Sequence, residues 1–279
     1  MTDGVPMARG RVTVRSIQAM KDRGEKIVAL TAYDHLTAAL EERAGVHLIL
    51  VGDSFQMAVL GEETTLGADM NVLVAHCRAV RKGAPDAMVV GDMPFGSYQP
   101  SDETAVRNAV RFVAEAGADA VKLEGGNDAA VSRIRAIVDA GIPVMGHIGL
   151  LPQSIKAEGS YRIVRRDALE ELRRQLSALE KAGAFSVVFE MMEEELAAIL
   201  TGESSIPTIG IGAGRHTHGQ ILVVNDMLGM NGEFNPRFLK KYADLHTVMA
   251  RAIEEYAEEV RTGAFPGEEN VFRERGTGR

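Results

Sequence analysis

The stretch AGADAVKLEGG, residues 116–126, contains the pattern from which the fold can be inferred. An Ala-Gly pair, typical of the end of a helix, is followed at once by a short apolar strand. Three other stretches repeat the pattern: AGVHLILVGD at 44–53, AGIPVMGHIG at 140–149 and AGAFSVVFE at 182–190. Each copy predicts a junction between a helix and the following strand, which is the repeating element of an α/β fold.

Similar apolar runs occur along the chain and are rich in Val, Ile and Leu without strict alternation. That composition is typical of strands buried on both faces of a parallel sheet. The eight predicted strands are 26–33, 48–53, 87–93, 120–124, 143–148, 186–190, 207–211 and 220–224. Because helix signals lie between them, we predict a single-domain α/β fold, a (β/α)8 TIM barrel over residues 1–279. The alternative is an open doubly wound sheet.

The helix signals between these strands are polar residues that can cap a first turn. Ser101, Asn127 and Asp167 are the predicted caps of three such helices. A short helix over 13–23 is predicted before the first strand, and a last long helix over 236–261. The polar tail after about residue 266 is predicted to be flexible.

Composition excludes several classes of function. With 31 basic and 39 acidic residues the net charge is -8, which argues against nucleic acid as a partner. No apolar run approaches the roughly 20 residues of a membrane span, and the N-terminus resembles no secretion signal. A single cysteine, Cys77, excludes an internal disulfide. We therefore expect a cytoplasmic protein with no membrane partner.

Polar side chains stand at the ends of five predicted strands. They are Asp53 with Ser54, Asp92, Lys122 with Glu124, His147, and Glu190. In a parallel barrel the carboxyl ends of all strands meet at one rim, where active sites are built. Lys122 and Glu124 are two residues apart and therefore share one face of their strand. The sequence predicts a charged site at this rim.

Each of these residues also has a purely structural interpretation. An aspartate after a strand often caps the next helix, and a lysine two residues from a glutamate could pair with that glutamate alone. A lone histidine more often belongs to the core, and Glu190 could be a solvated residue ahead of the acidic run 193–195. The functional interpretation depends on five strands delivering such groups to one edge.

Three carboxylates at one rim suit a hard divalent cation such as Mg²⁺, which takes oxygen ligands and keeps positions open for water and substrate. A further carboxylate could act as a base, and a lysine could pair with an anionic substrate. This combination fits chemistry on a 2-oxo acid, in which the cation chelates the carboxylate and carbonyl and stabilises the enolate.

Ten motifs along the chain resemble one known family. They are TAYD (31–34), VGDS (51–54), ETTL (63–66), HCRAVRKGAP (76–85), GDMPFGSY (91–98), VKLEGG (121–126), GHIGLLPQS (146–154), GIGAG (210–214), GQILVVNDMLG (219–229) and FPGEE (265–269). Together, in this order, they resemble the ketopantoate hydroxymethyltransferases (3-methyl-2-oxobutanoate hydroxymethyltransferases), the first enzymes of pantothenate synthesis. The resemblance extends from about residue 12 to residue 270.

This resemblance implies a (β/α)8 barrel of the phosphoenolpyruvate/pyruvate superfamily, assembled as a homodecamer of five dimers. The implied reaction transfers a hydroxymethyl group from 5,10-methylenetetrahydrofolate to 3-methyl-2-oxobutanoate, giving 2-dehydropantoate and tetrahydrofolate.

The resemblance also implies roles for the residues at the rim. By motif, Asp53 and Asp92 are ligands of one Mg²⁺ per subunit and approach the oxo acid through it, and Glu124 completes the metal site. Ser54 and Lys122 contact the oxo acid directly. Two further residues are implied: Glu190 is the proton acceptor, and His147 lines the pocket.

Two other functions remain open at this point. The chain could be another Mg²⁺-dependent lyase or mutase of the same superfamily that acts on a 2-oxo acid without folate. It could also be an inactive homologue retained for assembly, although clustered carboxylates repel one another without a cation and an inactive copy has no physical reason to keep them. The family's usual Glu-x-Val-Pro is also altered here, since Glu190 is followed by Met191, Met192 and Glu193.

Overall fold

The computed structural model describes residues 10–160 and 162–273 and forms a closed barrel of eight parallel strands. The strands are β1 (Ile27–Thr31), β2 (Leu48–Val51), β3 (Met88–Asp92), β4 (Ala120–Lys122), β5 (Val144–Gly149), β6 (Ser186–Glu190), β7 (Thr208–Ile211) and β8 (Gly219–Leu222). Each strand pairs with the next, and β8 pairs with β1, Ile27 lying beside Gly219. The predicted (β/α)8 barrel is confirmed, and this closure rules out the open sheet.

Helices lie between most of the strands, as predicted. They are α1 (Val14–Asp22), α2 (His35–Ala44), α3 (Phe55–Ala58), α4 (Met70–Gly83), α5 (Asp102–Ala116), α6 (Asp128–Asp139), α7 (Ile155–Glu158), α8 (Leu169–Ala182), α9 (Glu194–Glu203), α10 (Val224–Met227) and α11 (Leu245–Thr262). Ser101 and Asn127 cap α5 and α6 as predicted, each accepting a backbone hydrogen bond. Asp167 does not cap α8, because it lies inside a 3₁₀ turn, Arg166–Ala168, that precedes this helix.

The barrel interior is filled by apolar side chains at alternate strand positions. Leu48 and Leu50 of β2 and Met88 and Val90 of β3 point into this core. Ile17 of α1 joins them, and α1 closes the amino-terminal end of the barrel. The interior is therefore packed, and the carboxyl-terminal rim is the end at which a site can form.

The chain divides into two compact units, residues 1–224 and 225–279. The first unit is the barrel. In the second, α11 begins at Leu245 and not at the predicted residue 236, and Asp244 caps it by accepting from Thr247 N. The single-domain organisation stays a prediction. Part of the predicted flexible tail, residues 274–279, lies outside the described residues. No described helix is long and apolar enough to cross a bilayer.

Glu41 is a buried acid on α2, which packs against α4. Neither oxygen of its carboxyl group has a hydrogen-bond partner within the described part of the chain. Burial, followed by the charge of Asp34, raises the pKa of Glu41 from 4.5 to about 8. The folded state therefore holds this proton at neutral pH, while the unfolded state releases it above pH 4.5.

Replacing Glu41 by methionine is expected to raise the free energy of unfolding by about 1–3 kcal/mol near pH 8, because it removes an unsatisfied buried polar group. Because the pKa of Glu41 is higher in the folded state than in the unfolded state, the wild-type protein loses stability as the pH rises from 4.5 to 8. The gain should therefore shrink towards pH 4.5. Urea unfolding at both pH values checks this, with the exposed Glu63→Met as control. An equal gain at both pH values would contradict the role of ionisation.

Candidate active site

All the charged residues predicted for the rim lie together at the carboxyl ends of neighbouring strands. Asp53 follows β2, Asp92 ends β3, Lys122 ends β4, and Glu124 lies two residues beyond. These four side chains are almost completely buried, although all are ionisable. Ionisable groups are seldom buried, and a cluster of four of them in one place marks the rim as a candidate functional site.

The strongest contact in this cluster joins two adjacent strands. Lys122 Nζ lies 2.8 Å from Asp92 Oδ1 and 3.7 Å from Glu124 Oε1. Asp92 Oδ2 accepts a hydrogen bond of 3.1 Å from Asp53 N. Lys122 thus pairs first with Asp92, its direct neighbour in the strand register, and the idea that it pairs only with Glu124 is wrong.

The electrostatics of the cluster favour an added positive charge. Burial raises the pKa of Asp92 to about 7 although Lys122 opposes the rise, and burial likewise raises the pKa of Glu124. Burial acts to lower the pKa of Lys122, but Asp92, Glu124 and Asp53 together raise it. Three buried carboxylates therefore share the charge of one protonated lysine, and they repel one another.

The donor set suits a divalent cation that prefers oxygen. Glu124 Oε1 is buried without a hydrogen-bond partner among the residues the structure describes. Over residues 10–160 and 162–273, no three His, Cys, Asp or Glu side chains are grouped so that they could hold a metal by themselves. Mg²⁺ usually takes one or two carboxylates and completes its shell with water and substrate, so Asp53 and Asp92 are sufficient in number. The predicted set of three carboxylates stays a prediction.

Ser54 lies beside the acids and contacts a residue that sequence reasoning did not single out. Its Oγ is 2.9 Å from Tyr33 Oη. A Cβ at Gly52 would lie only 2.6 Å from Ser54 Oγ and 3.8 Å from Asp92 Oδ2. Glycine in the VGDS motif therefore lets the backbone pass close to these polar groups. Tyr33 belongs to the TAYD motif, which was the available signal for it.

His147 of β5 lies between two carboxylates. Its Nε2 is 3.3 Å from Glu190 Oε2, and its Nδ1 is 3.7 Å from Glu124 Oε1. Neither ring nitrogen has a well-directed hydrogen-bond partner among the described residues. Burial, the largest cause, lowers the pKa of His147 although Glu190 opposes this. The imidazole is therefore neutral at pH 7 and can donate or accept one proton.

Glu190 ends β6 with its side chain 20% exposed, so its carboxylate faces the open side of the cluster. The next residue, Met191, has φ 49°, a left-handed conformation that is costly for a residue with a side chain. Beyond it, Glu193 accepts from Arg165 Nη1 at 3.0 Å and from Arg166 N at 3.0 Å. The turn therefore separates Glu190, which stays at the cluster, from Glu193.

Two more residues of the site were missed from the sequence. Gln153 and Tyr98 are both buried, and they contact Asp53 and Glu124. They also line a cavity of about 170 Å³ next to Glu124. Both belong to quoted motifs, GHIGLLPQS and GDMPFGSY, but neither has a charge or a periodic position that would mark it.

Known proteins resemble the chain over nearly its whole length. The sequence profile described as ketopantoate hydroxymethyltransferase matches residues 11–268. A 3-methyl-2-oxobutanoate hydroxymethyltransferase of Syntrophus aciditrophicus is 49% identical over 268 residues, covering 95% of this chain and 98% of the relative. One of Prosthecochloris aestuarii is 50% identical over 267 residues, covering 94% and 96%.

Solved structures of another activity share the fold. A 2,3-dimethylmalate lyase of the PEP mutase/isocitrate lyase superfamily superimposes with a TM-score of 0.60 at 19% identity, over 93% of this chain and 92% of that chain. A phosphonopyruvate hydrolase gives a TM-score of 0.60 at 16% identity, over 92% of each chain. These likenesses show the fold, whereas the sequence matches show kinship: the chain belongs to the ketopantoate hydroxymethyltransferase family.

Proposed function

We propose that this chain transfers a hydroxymethyl group from 5,10-methylenetetrahydrofolate to 3-methyl-2-oxobutanoate, giving 2-dehydropantoate and tetrahydrofolate for pantothenate synthesis. Relatives at 49–50% identity over nearly the full length carry the name of this activity. The observation that supports it most directly is the buried group of Asp53, Asp92, Lys122 and Glu124 with Glu190 at its open side. An anionic oxo acid needs a cation to bind and a base to remove its C3 proton.

Lys122 and Ser54 are the proposed substrate contacts. The Lys122 ammonium pairs with an anionic group of the oxo acid, and the Ser54 hydroxyl donates a hydrogen bond to it. Asp53 and Asp92, with Glu124 close by, would hold a Mg²⁺ ion. Bound there, the cation would polarise the 2-oxo group and favour loss of the C3 proton.

Glu190 is the proposed acceptor of the C3 proton. Its carboxylate ends β6 at the open side of the cluster, where a substrate held by Lys122 presents its carbon chain. The C3–H proton moves to a Glu190 oxygen, and the electron pair left on C3 forms a bond to the methylene carbon of the folate. The two C–N bonds of that carbon break, water supplies its hydroxyl group, and the two folate nitrogens take up the C3 proton and the remaining proton of the water. His147, neutral and 3.3 Å from Glu190 Oε2, lines this side of the pocket.

The proposed activity is tested by incubating the purified protein with 3-methyl-2-oxobutanoate, 5,10-methylenetetrahydrofolate and Mg²⁺. We expect 2-dehydropantoate only when all three are present. Turnover of an oxo acid without folate would favour a lyase or mutase of the superfamily. Absence of turnover of any oxo acid would favour an inactive homologue.

Replacing Lys122 by methionine is expected to weaken binding of 3-methyl-2-oxobutanoate about 10–100-fold, because a charged hydrogen-bond partner of the anion is lost. Calorimetric titration with the oxo acid in the presence of Mg²⁺ measures this. Lys26→Met is the matched control, since Lys26 Nζ donates to Thr217 O at 2.6 Å outside the site. Unchanged affinity in a folded Lys122→Met variant would contradict the substrate-binding role.

We also propose that the protein works as a cytoplasmic homodecamer. Large apolar side chains are exposed on three outer helices, α2, α4 and α5, of which α4 packs against the other two. Among these side chains are Leu36 and Leu40 of α2, Val72 of α4 and Val110 of α5. Exposed apolar residues grouped on neighbouring helices are typical of surfaces covered by another subunit. This supports self-association, and the number of ten subunits follows from the family resemblance.

A further inference from the structure

Gln153 connects the loops that follow four strands of the barrel. It lies in the 3₁₀ turn Pro152–Ser154 after β5 and is 5% exposed. Its Nε2 donates to Asp53 Oδ2 at 2.9 Å and to Met93 O at 3.0 Å. Its backbone N donates to Glu124 Oε2 at 3.0 Å. One residue thus contacts two of the three carboxylates of the cluster.

Four neighbours fix the direction in which the Gln153 amide faces. Asp53 Oδ2 and Met93 O are acceptors and therefore require the NH₂ group. Oε1 accepts from Tyr98 Oη at 2.8 Å and from Gln99 Nε2 at 3.2 Å. A reversed amide would place an oxygen against two acceptors. The amide is therefore fully used, and no shorter or apolar side chain can replace all its bonds.

Tyr98 links these hydrogen bonds to the backbone of Glu124, two residues beyond the end of β4. Its hydroxyl is buried, donates to Gln153 Oε1 and accepts from Glu124 N at 3.3 Å. Glu124 is consequently held at its backbone by Tyr98 and at its carboxylate by Gln153. Its other oxygen, Oε1, has no such partner among the described residues and stays available on the side of Lys122.

We propose that Gln153, supported by Tyr98, is the positioning residue that sets the carboxylates of Asp53 and Glu124 for a divalent cation. Each carboxylate has one oxygen bound by Gln153, through its side chain at Asp53 and through its backbone at Glu124. The other oxygen of Glu124 lies 3.7 Å from Lys122 Nζ, inside the cluster. Residues that hold metal ligands in this way commonly control affinity 10–100-fold. This role of Gln153 depends on the proposed function only for the assumption that the cation binds to these acids.

Mn²⁺ binding by the purified full-length chain, without substrate, tests the proposal. Gln153→Met keeps the length of the side chain and removes its hydrogen bonds to Asp53 and Met93, while the backbone bond to Glu124 Oε2 remains. We therefore expect Mn²⁺ affinity to fall about 10–100-fold through misplacement of Asp53. Tyr98→Phe removes one hydroxyl and should weaken Mn²⁺ about 2–10-fold. Tyr98 contacts both Gln153 Oε1 and the backbone of Glu124, so the double variant should lose less Mn²⁺ affinity than the sum of the two single losses.

Gln18→Met is the matched control. Gln18 Nε2 also donates to a carboxylate, Asp22 Oδ1 at 3.0 Å, and to a carbonyl, Ser205 O at 3.3 Å, but on α1 at the other end of the barrel. The Mn²⁺ affinity of the Gln18→Met variant should equal that of the wild type. A general loss of stability would show in the unfolding midpoint, which is measured for every variant.

Wild-type Mn²⁺ affinity in folded Gln153→Met overturns the proposal, and so do additive losses in the double variant. If Gln153→Met does not fold, Tyr98→Phe decides by the same measurement. A wild-type protein that binds Mn²⁺ but forms no 2-dehydropantoate would instead refute the proposed function. The two failures are therefore distinguishable.

Discussion

Replacing Glu190 by glutamine is expected to slow exchange of the C3 proton of 3-methyl-2-oxobutanoate with deuterated water about 10²–10⁴-fold, the usual contribution of a general base. Glutamine has nearly the same shape but cannot accept the proton. NMR detection of deuterium at C3, with Mg²⁺ present and folate absent, isolates this step from transfer of the one-carbon group. Oxo-acid binding should persist, since Lys122 and Ser54 are unchanged.

Glu193→Gln is the matched control for this prediction. Its carboxylate is bound by Arg165 and by the backbone N of Arg166, on the far side of the turn at Met191. Exchange in this variant should therefore remain as fast as in the wild type. Rapid exchange in Glu190→Gln combined with slow exchange in Glu193→Gln would transfer the role of the base to Glu193.

The barrel and the location of its site were predictable because both depend on local sequence. Runs of Val, Ile and Leu predicted all eight strands, and the polar residues at the ends of five of these runs lie at the rim by geometry alone. Ala116-Gly117 and Ala182-Gly183 end α5 and α8, with φ of 75° and 93° at the glycines. Such signals extend over a few residues and need no knowledge of tertiary contacts.

Features that depend on tertiary contacts or on competing local bonds were predicted less well. Gln153 acquires its role from Asp53, which is 100 residues away in the sequence. The last helix was predicted to begin at 236, but the backbone N of Tyr242 donates to Met227 O at 2.8 Å and that of Leu245 donates to Leu228 O at 3.0 Å. These bonds to a distant segment replace the bonds of a helix, and α11 starts only at Leu245.

Asp92 illustrates how a contact changes an expectation about stability. Within a cluster of acids, loss of one carboxylate relieves repulsion and should leave the fold intact. The structure instead places Lys122 Nζ 2.8 Å from Asp92 Oδ1, with 5% and 2% of the two side chains exposed. Removing Asp92 therefore leaves a buried ammonium without its closest partner, and Glu124 Oε1 at 3.7 Å compensates only in part.

Replacing Asp92 by alanine is accordingly expected to lower the free energy of unfolding by about 3–5 kcal/mol, the usual result of breaking a buried ion pair from one side. Urea unfolding measures this loss. The same variant should form no 2-dehydropantoate even where it is fully folded, since a proposed Mg²⁺ ligand and the partner of Lys122 are both lost. Activity is therefore assayed below the unfolding transition.

The double variant Asp92→Ala/Lys122→Met separates the two effects of this substitution. Removal of both charges leaves no buried ammonium without its closest partner, but it also takes the lysine away from Asp53 and Glu124. We therefore expect it to regain only part of the roughly 3–5 kcal/mol lost by Asp92→Ala. Activity should not return, since neither the proposed metal ligand nor the substrate cation is restored. A double variant no more stable than Asp92→Ala would show that the ion pair does not cause the loss. Turnover by Asp92→Ala at the wild-type rate in the presence of EDTA would refute the metal-binding role of Asp92.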